Sequence, residues 1–149
     1  MNETALRAHV LRSLRRDLCT ALLVPDDDGD VTLPVGEVPV VVRLLTGSPA
    51  QVRVCSAAAF GLPSTVKVLR EVNDVNVGLS GARCFLVDGT LYVAGELEVV
   101  SVEPGELGRL VLRVGTTATR VGSLLVAVHG GTLPSVREEE PAREEEPGR

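Results

Sequence analysis

Tryptophan is missing from this 149-residue chain, and aromatic residues are held to Phe60, Phe85 and Tyr92. So few rings leave no repeated platform on which nucleic-acid bases could stack. A basic surplus is missing too. The formal charge is −5, of which Arg137–Arg149 supplies −3 through six Glu against three Arg. Phosphate neutralisation needs the opposite balance, so nucleic acid is not expected as a partner. Lysine is confined to Lys67 against 14 arginines, which reads as coding bias, as in a high-GC bacterial source. No apolar run approaches 18 residues, and residues 1–20 carry arginines throughout with no apolar h-region. Neither a membrane span nor a signal peptide is expected. The three cysteines, Cys19, Cys55 and Cys84, form no CxxC and no disulfide framework. Reduced thiols in a cytoplasmic protein are the simplest reading.

What is present is aliphatic. Hydrophobic residues make up 44% of the chain, mostly Val, Leu and Ala, which is enough to bury a core. Leu6, Val10, Leu14 and Leu18 recur every fourth residue, with arginines elsewhere around the wheel, so Thr4–Thr20 reads as an amphipathic helix. Without bulky aromatic anchors its arginines are a solvated face rather than a membrane surface. Strands follow. Ala21–Val24 leads into the acidic turn Pro25–Asp30, which ends at the alternating Val31, Leu33 and Val35. Val38–Leu45 reads as a central strand buried on both faces for much of its length. Ala50–Cys55 alternates, with Val52 and Val54 opposite Gln51 and Arg53, and the three runs form an antiparallel meander.

Ser56–Pro63 is a connector running to Ser64, an N-cap for a helix over Ser64–Asn76 that ends near Asn76-Val77-Gly78. Val68, Val72, Val75 and Leu79 form its apolar face, widened by Val66 and Leu69. Asp88-Gly89 joins Ala82–Val87 to Thr90–Leu97 as a two-residue hairpin turn. In that register Phe85 faces Tyr92 and Arg83 faces Ala94. One hairpin face holds Cys84, Leu86, Leu91, Val93 and Leu97. The other holds Arg83, Phe85, Tyr92, Ala94 and Glu96. Pro104 fits the first turn of a long final helix whose stripe runs from Leu107 to Val128 and ends at Gly130-Gly131. Gly108, Gly115 and Gly122 repeat every seven residues along it. Each costs about 1 kcal/mol relative to alanine, so close approach of another helix or of the sheet is expected there. The domain therefore covers residues 1–133. Residues 134–149, with two REEEP-like repeats, are expected to be a disordered acidic tail.

Chemistry is sparse. With Gly29 in the sixth position of a calcium loop, its first and last positions would be Val24 and Val35, and both are apolar. A polar turn is the better account. No GK[ST] follows any glycine cluster, and there is no GxSxG or HExxH. His9 and His129 have no nucleophile in their motifs, and His129 suits a helix C-terminus electrostatically. No catalytic residue, metal site or cofactor is expected. Asn76 is read as stopping its helix, and Asn73 as bonding a neighbouring strand or loop. Arg83 and Glu96 are diagonal neighbours able to pair for about 1 kcal/mol or less.

The stretch from Val68 to Asn76, with its VNDVN element, followed by Ala82-Arg83 and by Leu91–Leu97 (LYVAGEL), resembles the YbjN-like proteins. The long helix closing on His129-Gly130-Gly131 looks like actinobacterial members of that group. The resemblance covers Ser64–Gly131 well and the N-terminal half by element order. It implies the α+β fold of the type III secretion chaperones, in the order α-β-β-β-α-β-β-α, with helices mainly on one face of an antiparallel sheet. It also implies a peptide-binding, chaperone-like role, often as a homodimer, with Asn73, Asn76, Arg83 and Glu96 at family-like positions. On this reading the helix-free sheet face, with Arg83, Phe85, Tyr92, Val41 and Arg43, takes an extended segment of a client protein. The alternatives are a regulatory or structural dimer with no client groove, and a small-molecule binder or enzyme whose pocket would converge on His9 or His129.

Overall fold

A computed structural model describes residues 2–134. Asn2 opens helix α1, Glu3–Asp17, by accepting from the Ala5 N–H at 2.8 Å. Strands β1 (Val31–Val35), β2 (Val38–Leu45) and β3 (Gln51–Ala59) follow. Helix α2 spans Val66–Gly78, strands β4 and β5 span Arg83–Val87 and Thr90–Glu98, and helix α3 spans Glu106–His129. The element order is the expected one. The sheet is antiparallel and open, in the spatial order β1-β2-β3-β5-β4. The β4–β5 register is also as read from the sequence, Phe85 opposite Tyr92 and Arg83 opposite Ala94, around an Asp88-Gly89 turn with both φ angles positive.

Several boundaries move. Ala21–Val24 is no strand: Leu22 and Val24 point into water, and the Leu23 carbonyl accepts from Arg15 instead of from a ladder. Strand β3 runs on through the expected connector to Ala59, because buried Ser56 donates its hydroxyl to the Pro39 carbonyl at 2.7 Å. Proline 39 has no N–H, so this bond continues the β2 contact where the ladder stops. The N-cap of α2 is Thr65 rather than Ser64, and the helix does not stop at Asn76. Pro104 precedes α3 in a turn, with Gly105 at the cap. Val66 and Leu69 are exposed rather than part of the α2 core face, and Val128 leaves the α3 stripe for water. Strand β2 is fully buried on one face only, since no helix among the described residues covers the other. A short 3₁₀ turn at Val99–Ser101 follows β5.

All three helices lie on one side of the sheet. Alternate residues of β2 (Val38, Val40, Val42, Leu44) and of β3 (Val52, Val54) are buried beneath them, with Leu91 and Val93 of β5. Helix α3 is the central member, touching β1, β2, β3, β5 and both other helices. By length and composition it is the one described helix able to cross a bilayer, yet its stripe from Leu107 to Leu125 is buried against the sheet and α1. The heptad glycines explain how close it sits. A Cβ at Gly122 would collide with the Ala58 carbonyl, one at Gly115 with the Val35 side chain, and one at Gly108 would lie 2.8 Å from the Asp17 Cβ.

That last approach brings Asp17, at the end of α1, onto the start of α3. Its carboxylate accepts from the Gly105 and Gly108 N–H groups, both at 3.0 Å, and caps a helix it does not belong to. Its side chain is 2% exposed. Burial works to raise this carboxyl, but the two N–H donors and neighbouring Arg16 outweigh it and hold the pKa below the usual carboxylate value. A carboxyl depressed in the folded state stabilises fully above its unfolded pKa, near 4, and that contribution is lost as pH falls through the folded value.

Asp17→Asn is expected to lower stability by about 2 kcal/mol at neutral pH, and by less as the pH falls below about 4. Urea unfolding across pH reads this out, and a loss independent of pH would count against the charged cap. Gly122→Ala gains about 1 kcal/mol of helix propensity but meets the Ala58 carbonyl, for a net loss of about 2 kcal/mol. Gly78→Ala at the end of α2, where an added Cβ meets nothing within 4 Å, is expected to be neutral or stabilising by up to about 1 kcal/mol. Equal effects at the two glycines would sink the close-approach account.

Candidate functional site

With all helices on one side, the period-two alternation of the strands builds a second, uncovered face. It carries Val41 and Arg43 of β2, Arg53, Cys55 and Ala57 of β3, Tyr92, Ala94 and Glu96 of β5, and Arg83 and Phe85 of β4. At its centre is a shallow hollow of about 270 Å³ lined by Val41, Arg43, Arg53, Cys55, Ala57 and Tyr92. Three of the five expected residues, Val41, Arg43 and Tyr92, therefore meet in one hollow. Phe85 and Arg83 lie alongside it: the Phe85 ring stacks on Tyr92 at 5.6 Å between centroids, and the Arg83 guanidinium sits 5.5 Å over Phe85. The face is half-buried and mixed rather than a continuous exposed apolar patch.

Its polar part is a clamp around Glu96. Arg83 donates to both carboxylate oxygens, at 2.6 and 2.8 Å, and Arg53 adds a third bond through Nε at 3.0 Å. The Arg83 bonds hold the Glu96 carboxyl below the usual range against its partial burial, with Arg53 helping. The Arg83–Glu96 pairing was legible in the hairpin register, and the Arg53 arm was not. The alternation of β3 set Arg53 on the side away from Val52, but only the β3–β5 pairing brings it opposite Glu96. Arg43 is held from another direction. Its Nε and Nη2 grip Asp30, which is 5% exposed, at 2.7 to 3.1 Å. The acidic turn thus acts as a structural anchor, and Asp26 organises it by accepting from the Asp28 and Asp30 N–H groups. Among the described residues no cluster of His, Cys, Asp or Glu has a metal-binding arrangement. Burial raises the Cys55 thiol despite three nearby arginines, which disfavours its thiolate form.

The sequence matches, over residues 4–136, the family described as T3SS (YopN, CesT) and YbjN peptide-binding chaperone 1. The chain belongs to this family. Solved structures share its fold at low sequence identity. A chain of the ExsC–ExsE complex superposes with a TM-score of 0.64 at 14% identity, covering 84% of this chain and 97% of that one. The Yersinia pestis type III secretion chaperone SycH, in complex with a stable fragment of YscM2, gives 0.59 at 15%, covering 80% and 98%. YbjN from E. coli gives 0.56 at 19%, covering 85% and 96%. No curated protein matches the sequence.

In this chaperone-family chain the bonding role expected of Asn73 falls to Asn76, and neither asparagine stops α2, which runs on to Gly78. Asn73 is exposed, with no hydrogen-bond partner among the described side chains. Asn76 does the bonding: its amide donates to the Cys84 carbonyl and accepts from the Cys84 N–H, each at 2.8 Å. The turn register points Cys84 away from β5, so Asn76 occupies the outer edge of β4 as a pairing strand would. The opposite edge, β1, presents Thr32 and Pro34 outward, and Pro34 offers no N–H. Each edge of the sheet thus has one position where a ladder bond is already taken or has no donor. His129 bonds Glu71 at 2.7 Å and ties α3 to α2, and neither His129 nor His9 lines the hollow on the uncovered face.

Asn76→Ala removes both bonds to Cys84 and is expected to cost about 2 kcal/mol. The Cys84 amide should then exchange with solvent faster than its β5-paired neighbours Arg83 and Phe85, and unchanged exchange at Cys84 would contradict the edge-capping role.

Proposed function

We propose that this domain holds an extended segment of a client protein on its uncovered sheet face, without catalysis, and works as a homodimer. The observation that carries the reading is the central hollow: it lies on a face of the five-stranded sheet that no helix among the described residues covers. The Phe85–Tyr92 stack borders it as a rigid, amphipathic contact surface of the kind that anchors interfaces. Family membership supports a peptide client. So do the ExsC–ExsE and SycH–YscM2 complexes, in which relatives of this fold are bound to another protein. A second copy is supported on the helical side, where Val66, Leu69 and Val77 of α2 and Leu112, Leu124 and Val128 of α3 remain exposed.

Phe85→Glu tests the assignment of the two surfaces. Light scattering should give an unchanged dimer mass, while proteins captured from native lysate by the wild type are lost, a weakening of about 2 kcal/mol or more. Loss of the dimer on this substitution would instead make the sheet face a self-interface.

A further inference from the structure

We infer that the segment held on this face carries a carboxylate side chain for Arg53, with apolar side chains on the same edge of the segment filling the hollow towards Ala57 and Tyr92. The inference rests on the function proposed above and names the chemistry of its partner. The hollow is polarised along the strands. Arg43 and Arg53 are paired residues at one end, Val41 and Cys55 pair next, and Ala57 beside Tyr92 closes the other end.

The charges on this face are layered. Arg43, Arg53 and Arg83 keep 57%, 42% and 49% of their side chains exposed, whereas Asp30 and Glu96 keep 6% and 20%. The carboxylates sit beneath and hold the guanidiniums, so an incoming chain meets cations even though the protein as a whole is acidic. Arg53 spends only Nε on Glu96, and both of its Nη groups lack a hydrogen-bond partner among the described residues. Two free, parallel N–H donors on an arginine already oriented by its Nε bond match a carboxylate side chain in bidentate geometry, at a reduced entropy cost. Arg43 likewise keeps Nη1 free beside it. Arg53 and Ala57 are four residues apart on β3, about 13 Å, so an extended segment running along the strand presents its acidic and apolar side chains four apart.

The test uses the full chain and fluorescein-labelled Gly-Glu-Ser-Val-Thr-Leu-Thr-Val-Ser-Glu-Gly, whose outward pattern is the same in either chain direction. A matched peptide with lysine for both glutamates and a single-stranded oligothymidylate serve as comparisons, read by fluorescence anisotropy. The acidic peptide is expected to bind about tenfold tighter than the lysine peptide and more weakly as salt rises. Arg53→Gln should erase that preference with an unchanged thermal midpoint. Should the variant fail to fold, the salt dependence and the peptide preference of the wild type still decide the matter. Equal or tighter binding of the lysine peptide overturns the charge assignment while leaving the peptide-holding function intact. Absence of binding by either peptide overturns both, and preferential binding of the oligothymidylate replaces a peptide partner with a phosphate polymer.

Discussion

The contact of α3 with the sheet governs the rest of the molecule. At Gly122 the helix reaches the β3 backbone itself, and at Gly115 it reaches the end of β1. A helix at ordinary side-chain distance would leave voids in an aliphatic core with no tryptophan to fill them. Glycine gives up helix propensity at these positions, and the closer packing of Leu107, Val111, Val114 and Leu125 offsets that loss. The same closeness places α1 so that Asp17 caps α3. That join couples the first element of the chain to the last and fixes the helical layer as one unit.

Because the helices are gathered on one side, the other side of the sheet is free to be functional. Its residues are held from below or from the edge: Glu96 orients Arg53 and Arg83, Asp30 orients Arg43, and Tyr92 supports Phe85. These contacts set the positions of the side chains on this face. The sheet edges are guarded as well. Asn76 on one flank and Pro34 on the other discourage indiscriminate strand pairing, a hazard for any open sheet.

Much of this was legible in the residues. The Asp88-Gly89 turn set the hairpin register, and with it the meeting of Phe85 with Tyr92 and of Arg83 with Glu96. The heptad glycines announced close approach. The end of β3 was misread because Ser56–Ala59 has small side chains and no apolar period, yet a side-chain bond to Pro39 and the β5 ladder keep it extended. The strand-bonding role falls to Asn76 rather than Asn73 because helical spacing alone cannot say which of two residues a strand edge will approach. The acidic segment expected to be disordered lies, from residue 135 onward, outside the described residues.

The sequence by itself determined the kinds and order of the elements, the register of the terminal hairpin and the aliphatic character of the core. These follow from local periodicity and turn chemistry, which act over a few residues. Only the tertiary structure decided that Arg53 shares Glu96 with Arg83 across 43 residues of chain, and that Asp17 caps a helix 88 residues away. It also decided that Asn76 occupies the edge of β4 at Cys84. Each of these is a polar contact between distant segments, and hydrogen bonds carry no periodic trace in the sequence. Their partners are fixed by strand pairing and helix packing, which the whole core settles together.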